Sequence, residues 1–232
     1  MVEFSVFDNR HYPTLPVREG YDAWAASYEA TVLDLMDLRV AERLKTVAWP
    51  DFSPVLDLAC GTGRFGAWLG SRNVSPVDGV DLAPAMLERA RARGVYRRLQ
   101  LGEVARVDGG DEAYAMVTQS LADEHLPDLW PLYREAARLT RPEGLFVLIG
   151  YHPWFLMTGM AAHFELEPGR PVAIESYVHL FSDHVAAAHA SGWRLQELEE
   201  ALVDDAWIEV KPKWAAYRSR PISFAMVLRK TA

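Results

Sequence analysis

The stretch VLDLACGTGRFG, from Val55 to Gly66, decides the fold of this sequence. Its first residues form an apolar run that is typical of a buried strand, and its last six spell G-x-G-x-x-G. Glycines in a turn between a strand and a helix let the backbone come close to a bound nucleoside. Asp81 follows Gly61 by twenty residues, the spacing at which an acid meets a ribose hydroxyl in such folds. The stretch therefore predicts a nucleoside-binding α/β fold.

Length and composition predict one globular domain that acts on a small-molecule substrate. The chain has 232 residues, half of them hydrophobic, which is enough for a single buried core over residues 1–232. Its formal charge of -8 argues against a nucleic-acid partner, because that affinity depends on Lys and Arg neutralising phosphates. Cys60 is the only cysteine, so we expect no intrachain disulfide and a cytoplasmic location. We expect a monomer or a homodimer.

One uncharged stretch, from Gly144 to Phe164, is long enough to span a membrane. Gly150, Pro153 and Gly159 interrupt it, so we expect a strand followed by a separate apolar piece and no membrane partner. The first twenty residues contain early acidic side chains and no apolar run of signal-peptide length, which predicts no export signal.

Strand and helix patterns alternate along the chain, which predicts a doubly wound, Rossmann-like α/β sheet. We expect a mostly parallel sheet with an antiparallel last strand. Residues 1–50 are predicted to form an N-terminal helical cap, with one helix presenting the aromatic face Tyr21–Tyr28 and a second from Leu33 to Val47. Residues 152–182, after strand five, are predicted to be an irregular, substrate-side insertion, followed by a helix with Ser182 as its cap.

Asp57 distinguishes between two kinds of nucleoside ligand. It lies on the first predicted strand, four residues before Gly61 and close to the glycine turn. A carboxylate there repels the pyrophosphate of NAD and attracts an ammonium group. A dinucleotide domain also usually opens with its first strand, whereas a long segment precedes this one. Asp57 therefore favours a ligand that carries an amino acid over NAD.

Three motifs resemble those of the class I S-adenosylmethionine-dependent methyltransferases. They are DLACGTG (57–63), GVDLAPAML (79–87) and LTRPEGLFVLI (139–149), with Ala59 in place of the first motif's first glycine and Glu143 in place of a later one. The segment YDAWAASYEA (21–30) is similar to the helix that often precedes that fold. Residues 77–101 are particularly similar to small methyltransferase-like proteins of the Williams-Beuren region type.

The resemblance implies S-adenosylmethionine as cofactor and assigns the glycine turn to it. Asp57 and the backbone from Ala59 through Gly61 to Gly63 would hold the amino acid end. Asp81 would accept both ribose hydroxyls, although a helix-capping role at the strand end also explains that residue.

Five further cofactor contacts follow from the resemblance. Leu82 and Met86 would line the adenine, and Glu103 would meet its amino group. Gln119, at the end of strand four, would face the transferred methyl group, and Tyr28 would reach the carboxylate. Core packing for Met86, a solvated turn for Glu103 and a hydrophobic helix face for Tyr28 explain these residues equally well.

A general base is expected if the methyl acceptor is a hydroxyl or an ammonium group, because that group must lose a proton. His152 follows strand five and His125 follows strand four, both at the carboxyl ends where open α/β sheets bind ligands. His152 is the first candidate and His125 the second, with a structural histidine as the alternative for each.

The insertion is rich in aromatic and apolar residues, which indicates an apolar or aromatic substrate, a lid or a dimer contact. His179, His184 and His189 recur every five residues, which scatters them around a helix, so we expect no metal. The segment KPKWAAYRSR (211–220) alternates basic and aromatic residues like a small nucleic-acid patch, but in a net-negative chain it is predicted to be a solvated loop, with an entry for an anionic substrate as the alternative. We expect O-methylation of a small molecule. The alternatives are N- or C-methylation, methylation of a carrier-bound carboxylate, an NAD-dependent oxidoreductase and a catalytically silent binding protein.

Overall fold

The computed structural model describes residues 2–231, which contain twelve strands and nine α-helices. The strands are β1 (Val2–Glu3), β2 (Thr14–Leu15), β3 (Val55–Leu58), β4 (Val77–Asp81), β5 (Arg98–Leu101), β6 (Tyr114–Ser120), β7 (Thr140–Tyr151), β8 (His163–Glu167), β9 (Arg170–Ile174), β10 (Tyr177–Val178), β11 (Trp193–Leu202) and β12 (Pro221–Lys230). The helices are α1 (Val17–Trp24), α2 (Tyr28–Thr31), α3 (Leu38–Ala41), α4 (Arg64–Ser71), α5 (Pro84–Arg93), α6 (Trp130–Leu139), α7 (Pro153–Met157), α8 (Phe181–Ala190) and α9 (Asp205–Val210).

A seven-stranded sheet in the order β11-β12-β7-β6-β3-β4-β5 forms the centre of the molecule. The neighbours from β7 to β5 pair in parallel, β12 pairs antiparallel with β7, and β11 pairs antiparallel with β12. This arrangement confirms the predicted Rossmann-like α/β fold. Because the parallel strands all end at the same edge, the turns after β3, β4 and β6 meet there.

Both faces of the sheet are covered, which explains the unbroken apolar runs in its central strands. Val55 and Val147 face a layer that includes α3, α4 and the segment around Trp207. Leu56 and Phe146 face the opposite layer, which is built from α6 and α8. The alternation along each strand thus decides which layer a side chain enters.

The first fifty residues are less helical than predicted. The predicted aromatic helix is divided into α1 and α2, and the helix predicted from Leu33 to Val47 is reduced to the single turn α3. The second prediction fails because a distant strand competes for the backbone: the Glu197 carboxylate on β11 accepts the amides of Lys45 and Thr46. The apolar pattern of residues 33–47 carries no information about Glu197, which lies far along the chain.

The insertion over residues 152–182 is regular and pairs with the start of the chain. It contains α7 and the hairpin of β8 and β9, and β9 pairs in parallel with β2. The strand β10 pairs with β1. Ser182 does not cap the next helix, because α8 begins at Phe181 and the Asp183 carboxylate accepts the Leu180 amide. The two chain segments therefore form one cover above the edge of the sheet.

Within residues 2–231, no helix has both the length and the apolar character that crossing a membrane requires. The uncharged stretch of the sequence is divided among β7, α7 and β8.

Candidate active site

A cavity of about 320 Å³ lies at the carboxyl ends of β3, β4 and β6, beneath α1 and α2. Its size is at the lower end of the range for small-molecule sites. Seven of the predicted cofactor residues line it, together with His125 and with Tyr21, which the sequence analysis did not assign to the ligand. These seven are Tyr28, Ala59, Gly61, Asp81, Leu82, Met86 and Glu103.

The turn after β3 opens its backbone toward this nucleoside cavity. Gly61 has φ +54°, and no atom lies within 4 Å of the position that a Cβ would take. Ala59 also adopts a left-handed conformation, with φ +53°, at the position where the family motif has a glycine. A ligand can therefore approach the chain at Gly61 without meeting a side chain.

Asp81 stands at the centre of the cavity wall. Its Oδ2 accepts the Gly61 amide at 2.7 Å, and its Oδ1 accepts the Ala83 amide at 2.8 Å. Burial raises the pKa of this carboxyl to about 6, so it is ionised at neutral pH. Each carboxylate oxygen has a second lone pair, which leaves acceptor capacity for two ligand hydroxyls. The capping role and the ribose role are thus compatible in one residue.

The adenine side of the cavity is apolar. Met86 is buried and Leu82 half-buried, while Glu103 is exposed at the rim. Met86 also packs against Ala25 and Ala83, so it belongs to the core as well as to the wall. Tyr28, at the start of α2, closes the cavity from above, where burial raises the pKa of its hydroxyl.

Asp57 and Gly63 are not among the residues that line the cavity. Asp57 is buried, and it accepts the hydroxyls of Tyr96 (2.7 Å) and Thr118 (2.9 Å). A Cβ on Gly63 would lie 2.9 Å from the Tyr96 ring, and one on Gly66 would overlap its hydroxyl. The last two glycines of the motif therefore make room for Tyr96, and no local pattern in the sequence points to that residue.

Gln119 and His152 are also not at the cavity. The Gln119 side-chain oxygen, oriented by its hydrogen-bond network, accepts the amide of Ala122 at 2.7 Å. His152 begins α7, where its Nδ1 accepts the Trp154 amide at 3.0 Å and its Nε2 donates to Glu200 at 2.9 Å. Both ring nitrogens of His152 are thus engaged outside the nucleoside cavity.

His125 is the predicted base that does reach the cavity. Its Nδ1 donates to the Glu175 carbonyl at 2.6 Å, which leaves Nε2 to accept the Tyr21 hydroxyl at 2.8 Å. Burial lowers the pKa of His125 to about 4 and keeps the ring neutral. Glu124 lies 3.5 Å from the same Nε2, and burial raises the pKa of its carboxyl to about 7. The tautomer of His125 is therefore set by the insertion, through Glu175.

A second, larger cavity of about 670 Å³ lies beside the first. Its walls come from α2, the insertion and residues 211–217. The Trp24 ring lines this cavity and lies 5.0 Å, between centroids, from the ring of Tyr28, which lines the first. Trp24 also stacks on Phe164 of the insertion at 5.2 Å. The two cavities therefore adjoin at a cluster of aromatic rings.

Arg64, which follows the glycine turn, binds Asp37 at the start of α3. It forms a bidentate pair with Asp37, at 2.6 and 2.9 Å, and Ser120 donates to the same carboxylate at 3.0 Å. Both charged side chains are largely buried, with 14% and 3% of the arginine and aspartate side chains exposed. This pair could not be predicted from the sequence, because its two members lie in separate segments that share no pattern.

The fold and the open glycine turn define a protein that binds a nucleoside at the carboxyl edge of a doubly wound sheet. The residues present fit S-adenosylmethionine, because Asp81 can accept ribose hydroxyls and the backbone at Gly61 is accessible.

Comparison with known proteins assigns the family. A family described as "Methyltransferase domain" matches residues 56–148. An uncharacterised methyltransferase of Emericella nidulans is 30% identical over 222 residues, which cover 79% of this chain and 77% of that protein. The chain belongs to the class I S-adenosylmethionine-dependent methyltransferases, whose cofactor is S-adenosylmethionine.

Two further similarities are informative. A malonyl-[acyl-carrier protein] O-methyltransferase of Halorhodospira halophila is 32% identical over 194 residues; the match covers 81% of this chain but only 61% of that protein. The fold is similar to an S-adenosylmethionine-dependent methyltransferase from Mesorhizobium loti, with a TM-score of 0.66 at 23% identity, over 84% of this chain and 98% of that one.

Proposed function

We propose that the protein transfers the methyl group of S-adenosylmethionine to an oxygen of a small acceptor with an apolar or aromatic body. The observation that carries the proposal is the Tyr21–His125 hydrogen bond at the wall of the nucleoside cavity, next to an aromatic cavity of about 670 Å³. The similarity to the Halorhodospira halophila O-methyltransferase supports oxygen as the acceptor atom.

Bound in the nucleoside cavity, S-adenosylmethionine supplies an electrophilic methyl group on a sulfonium. The protein's contribution is to hold the acceptor in line, to exclude water and to remove one proton. Asp81 and the backbone at Gly61 hold the nucleoside, and the ring layer of Trp24 and Tyr28 limits access of water.

Tyr21 and His125 provide the route for that proton. An acceptor hydroxyl gives its proton to the Tyr21 oxygen while the Tyr21 hydroxyl gives its own to Nε2 of His125. The resulting imidazolium is stabilised by the Glu124 carboxylate 3.5 Å away. His125 therefore acts through Tyr21 and not directly on the acceptor.

Two alternatives keep a lower rank. An NAD-dependent oxidoreductase would need the second glycine of the motif open to the pyrophosphate, whereas Gly63 is packed against Tyr96, 2.9 Å from the position that a Cβ would take. A catalytically silent binding protein would have no use for an ordered tautomer at His125.

The first prediction concerns the nucleoside site and uses calorimetry. We expect S-adenosylhomocysteine to bind the wild-type protein and NAD to show no binding. Asp81→Asn should lower the affinity for S-adenosylhomocysteine at least about tenfold, because a carboxylate acceptor for the ribose hydroxyls is lost. Glu88→Gln, an exposed acid on α5 outside the cavity, is the matched control and should bind normally. Tight NAD binding, or full affinity in Asp81→Asn, would contradict the assignment.

The acceptor atom is tested by paired acceptors that differ in one atom, 1-naphthol and 1-naphthylamine, with transfer of labelled methyl as the readout. We expect methylation of the naphthol alone, and a drop of about 100-fold in kcat for Tyr21→Phe with S-adenosylhomocysteine affinity unchanged. Preferential methylation of the amine would show that nitrogen is the acceptor atom.

A further inference from the structure

The cavity of about 670 Å³ has a wall that the proposed function does not explain. Most of its lining is aromatic or apolar, but Arg10, Lys211 and Lys213 also line it. Among the described residues, none of these three cations forms an ion pair with a carboxylate. This is a concentration of positive charge in a chain with a net charge of -8.

His163 orders one of the three cations. Its Nδ1 donates to the Ala161 carbonyl at 2.8 Å, and its Nε2 accepts from Nη1 of Arg10 at 3.0 Å. Burial lowers the pKa of His163, and the nearby positive charges of Arg10, Lys213 and Lys211 lower it further. The ring therefore stays neutral. A neutral acceptor positions the guanidinium but does not cancel its charge, which remains available to a ligand.

The two lysines face the same region from the other side. Residues 211–217 bring Lys211 and Lys213 to the cavity, and the one side-chain hydrogen bond of Lys211 goes to the Thr31 carbonyl at 3.4 Å. Burial and the neighbouring Lys213 ammonium lower the pKa of Lys211. Glu165 also lines the cavity, but it is exposed and its Oε2 accepts the Gly169 amide at 3.4 Å. Within residues 2–231 these two neighbouring ammonium groups have no carboxylate partner, and an anion placed between them would relieve their repulsion.

We propose that the larger cavity binds an anionic acceptor, whose carboxylate or phosphate group lies between Arg10, Lys211 and Lys213 while its apolar body packs on Trp24 and Phe155. Calling the ligand an acceptor rests on the proposed methyl transfer; the anion site itself does not. The three cations line the larger cavity and not the nucleoside cavity, so they select the substrate and take no part in binding the nucleoside.

Two fluorescent probes with related aromatic bodies test the proposal: 8-anilinonaphthalene-1-sulfonate, which is anionic, and N-phenyl-1-naphthylamine, which is neutral. We expect the anionic probe to bind more tightly, with a preference that decreases as salt is added. Arg10→Gln and the double variant Lys211→Gln/Lys213→Gln should each weaken the anionic probe about tenfold and leave the neutral one nearly unchanged. Arg194→Gln, an exposed cation on β11, is the matched control.

Displacement of the anionic probe identifies the group that is bound. We compare 1-naphthoate, 1-naphthyl phosphate and the neutral 1-naphthalenemethanol; stronger displacement by the carboxylate or the phosphate names the anion. Equal affinity for both probes, or an anion preference that survives in the cation variants, would overturn the proposal.

Calorimetry with S-adenosylhomocysteine separates this failure from failure of the proposed function. The cation variants should bind that nucleoside like the wild type. Normal nucleoside binding without an anion preference would disprove the anion site and leave the proposed methyl transfer standing. Loss of nucleoside binding in the wild type would remove the methyl-transfer function, while a charge-dependent probe preference would still establish the anion site.

Discussion

Asp57 is a buried carboxyl group that two hydroxyl donors from the core hold in position. It accepts two hydroxyl donors, which favour the ionised form, yet burial dominates and raises its pKa to about 7. In the unfolded chain the same group titrates near its ordinary value of 3.8. Between those two values the folded state holds a proton that the unfolded state has released, so this residue destabilises the fold as pH rises through that window.

Asp57→Asn therefore has a pH-dependent effect on stability. An amide cannot ionise, so the variant lacks this destabilisation, and we expect the melting temperature of the variant to rise relative to wild type between pH 5 and 8. A gain of roughly 3 °C or more corresponds to about 1 kcal/mol in a protein of this size. Melting curves of both proteins at each pH give the difference. His125, whose pKa is lowered, contributes with the opposite sign to both proteins and cancels in that difference. A difference that does not change with pH would show that Asp57 is already ionised at pH 5.

At the scale of the element, the helix α4 contains two glycines with different surroundings. Gly66 faces Tyr96, and an added Cβ would overlap the phenol; Gly70 is exposed, and an added Cβ would meet nothing within 4 Å. Helix propensity favours alanine over glycine at both positions by about 1 kcal/mol. The two sites thus separate packing from propensity within one helix.

We expect Gly66→Ala to lower the free energy of unfolding by about 1–3 kcal/mol, because overpacking outweighs the gain in propensity. Gly70→Ala, the matched control, should raise it by roughly 0.5–1 kcal/mol. Urea denaturation of the two variants measures both effects. If Gly66→Ala were as stable as Gly70→Ala, Tyr96 would not be packed against the glycine turn.

The stability of the complete fold depends on how the segment that contains α2 and α3 is attached to the sheet. The buried pair of Arg64 and Asp37 joins the segment before the sheet to the start of α4, and Tyr28 of the same segment closes the nucleoside cavity. Removing one member of a buried pair leaves the other charge without compensation.

Arg64→Gln should therefore lower the free energy of unfolding by about 3 kcal/mol. It should also weaken the binding of S-adenosylhomocysteine, because the segment that carries Tyr28 is held less firmly. Arg39→Gln removes a pair with Asp204 that is bidentate but more exposed, and should cost about 1 kcal/mol or less with nucleoside affinity unchanged. Chemical denaturation and calorimetry on both variants give the comparison. Equal losses would mean that burial of the Arg64 pair contributes nothing beyond an exposed one.

Local patterns were sufficient for much of the fold and for part of the site. The run from Val55, the turn at Gly61 and the acid at Asp81 depend on residues within one strand, turn and helix, and the structure places the turn and the acid at the cavity. The order of alternating elements was likewise sufficient for the Rossmann-like sheet with its antiparallel end.

The class of sheet, the glycine turn and the family could be predicted from the amino-acid sequence, because each depends on spacing along a short stretch of chain. Three features required the folded molecule: the contact of Asp57 with Tyr96, the hydrogen bond of His152 with Glu200, and the meeting of cations from the two ends of the chain in one cavity. The layer that a side chain enters depends on strand alternation and on the residues that pack against it, and those partners come from segments far apart in the chain.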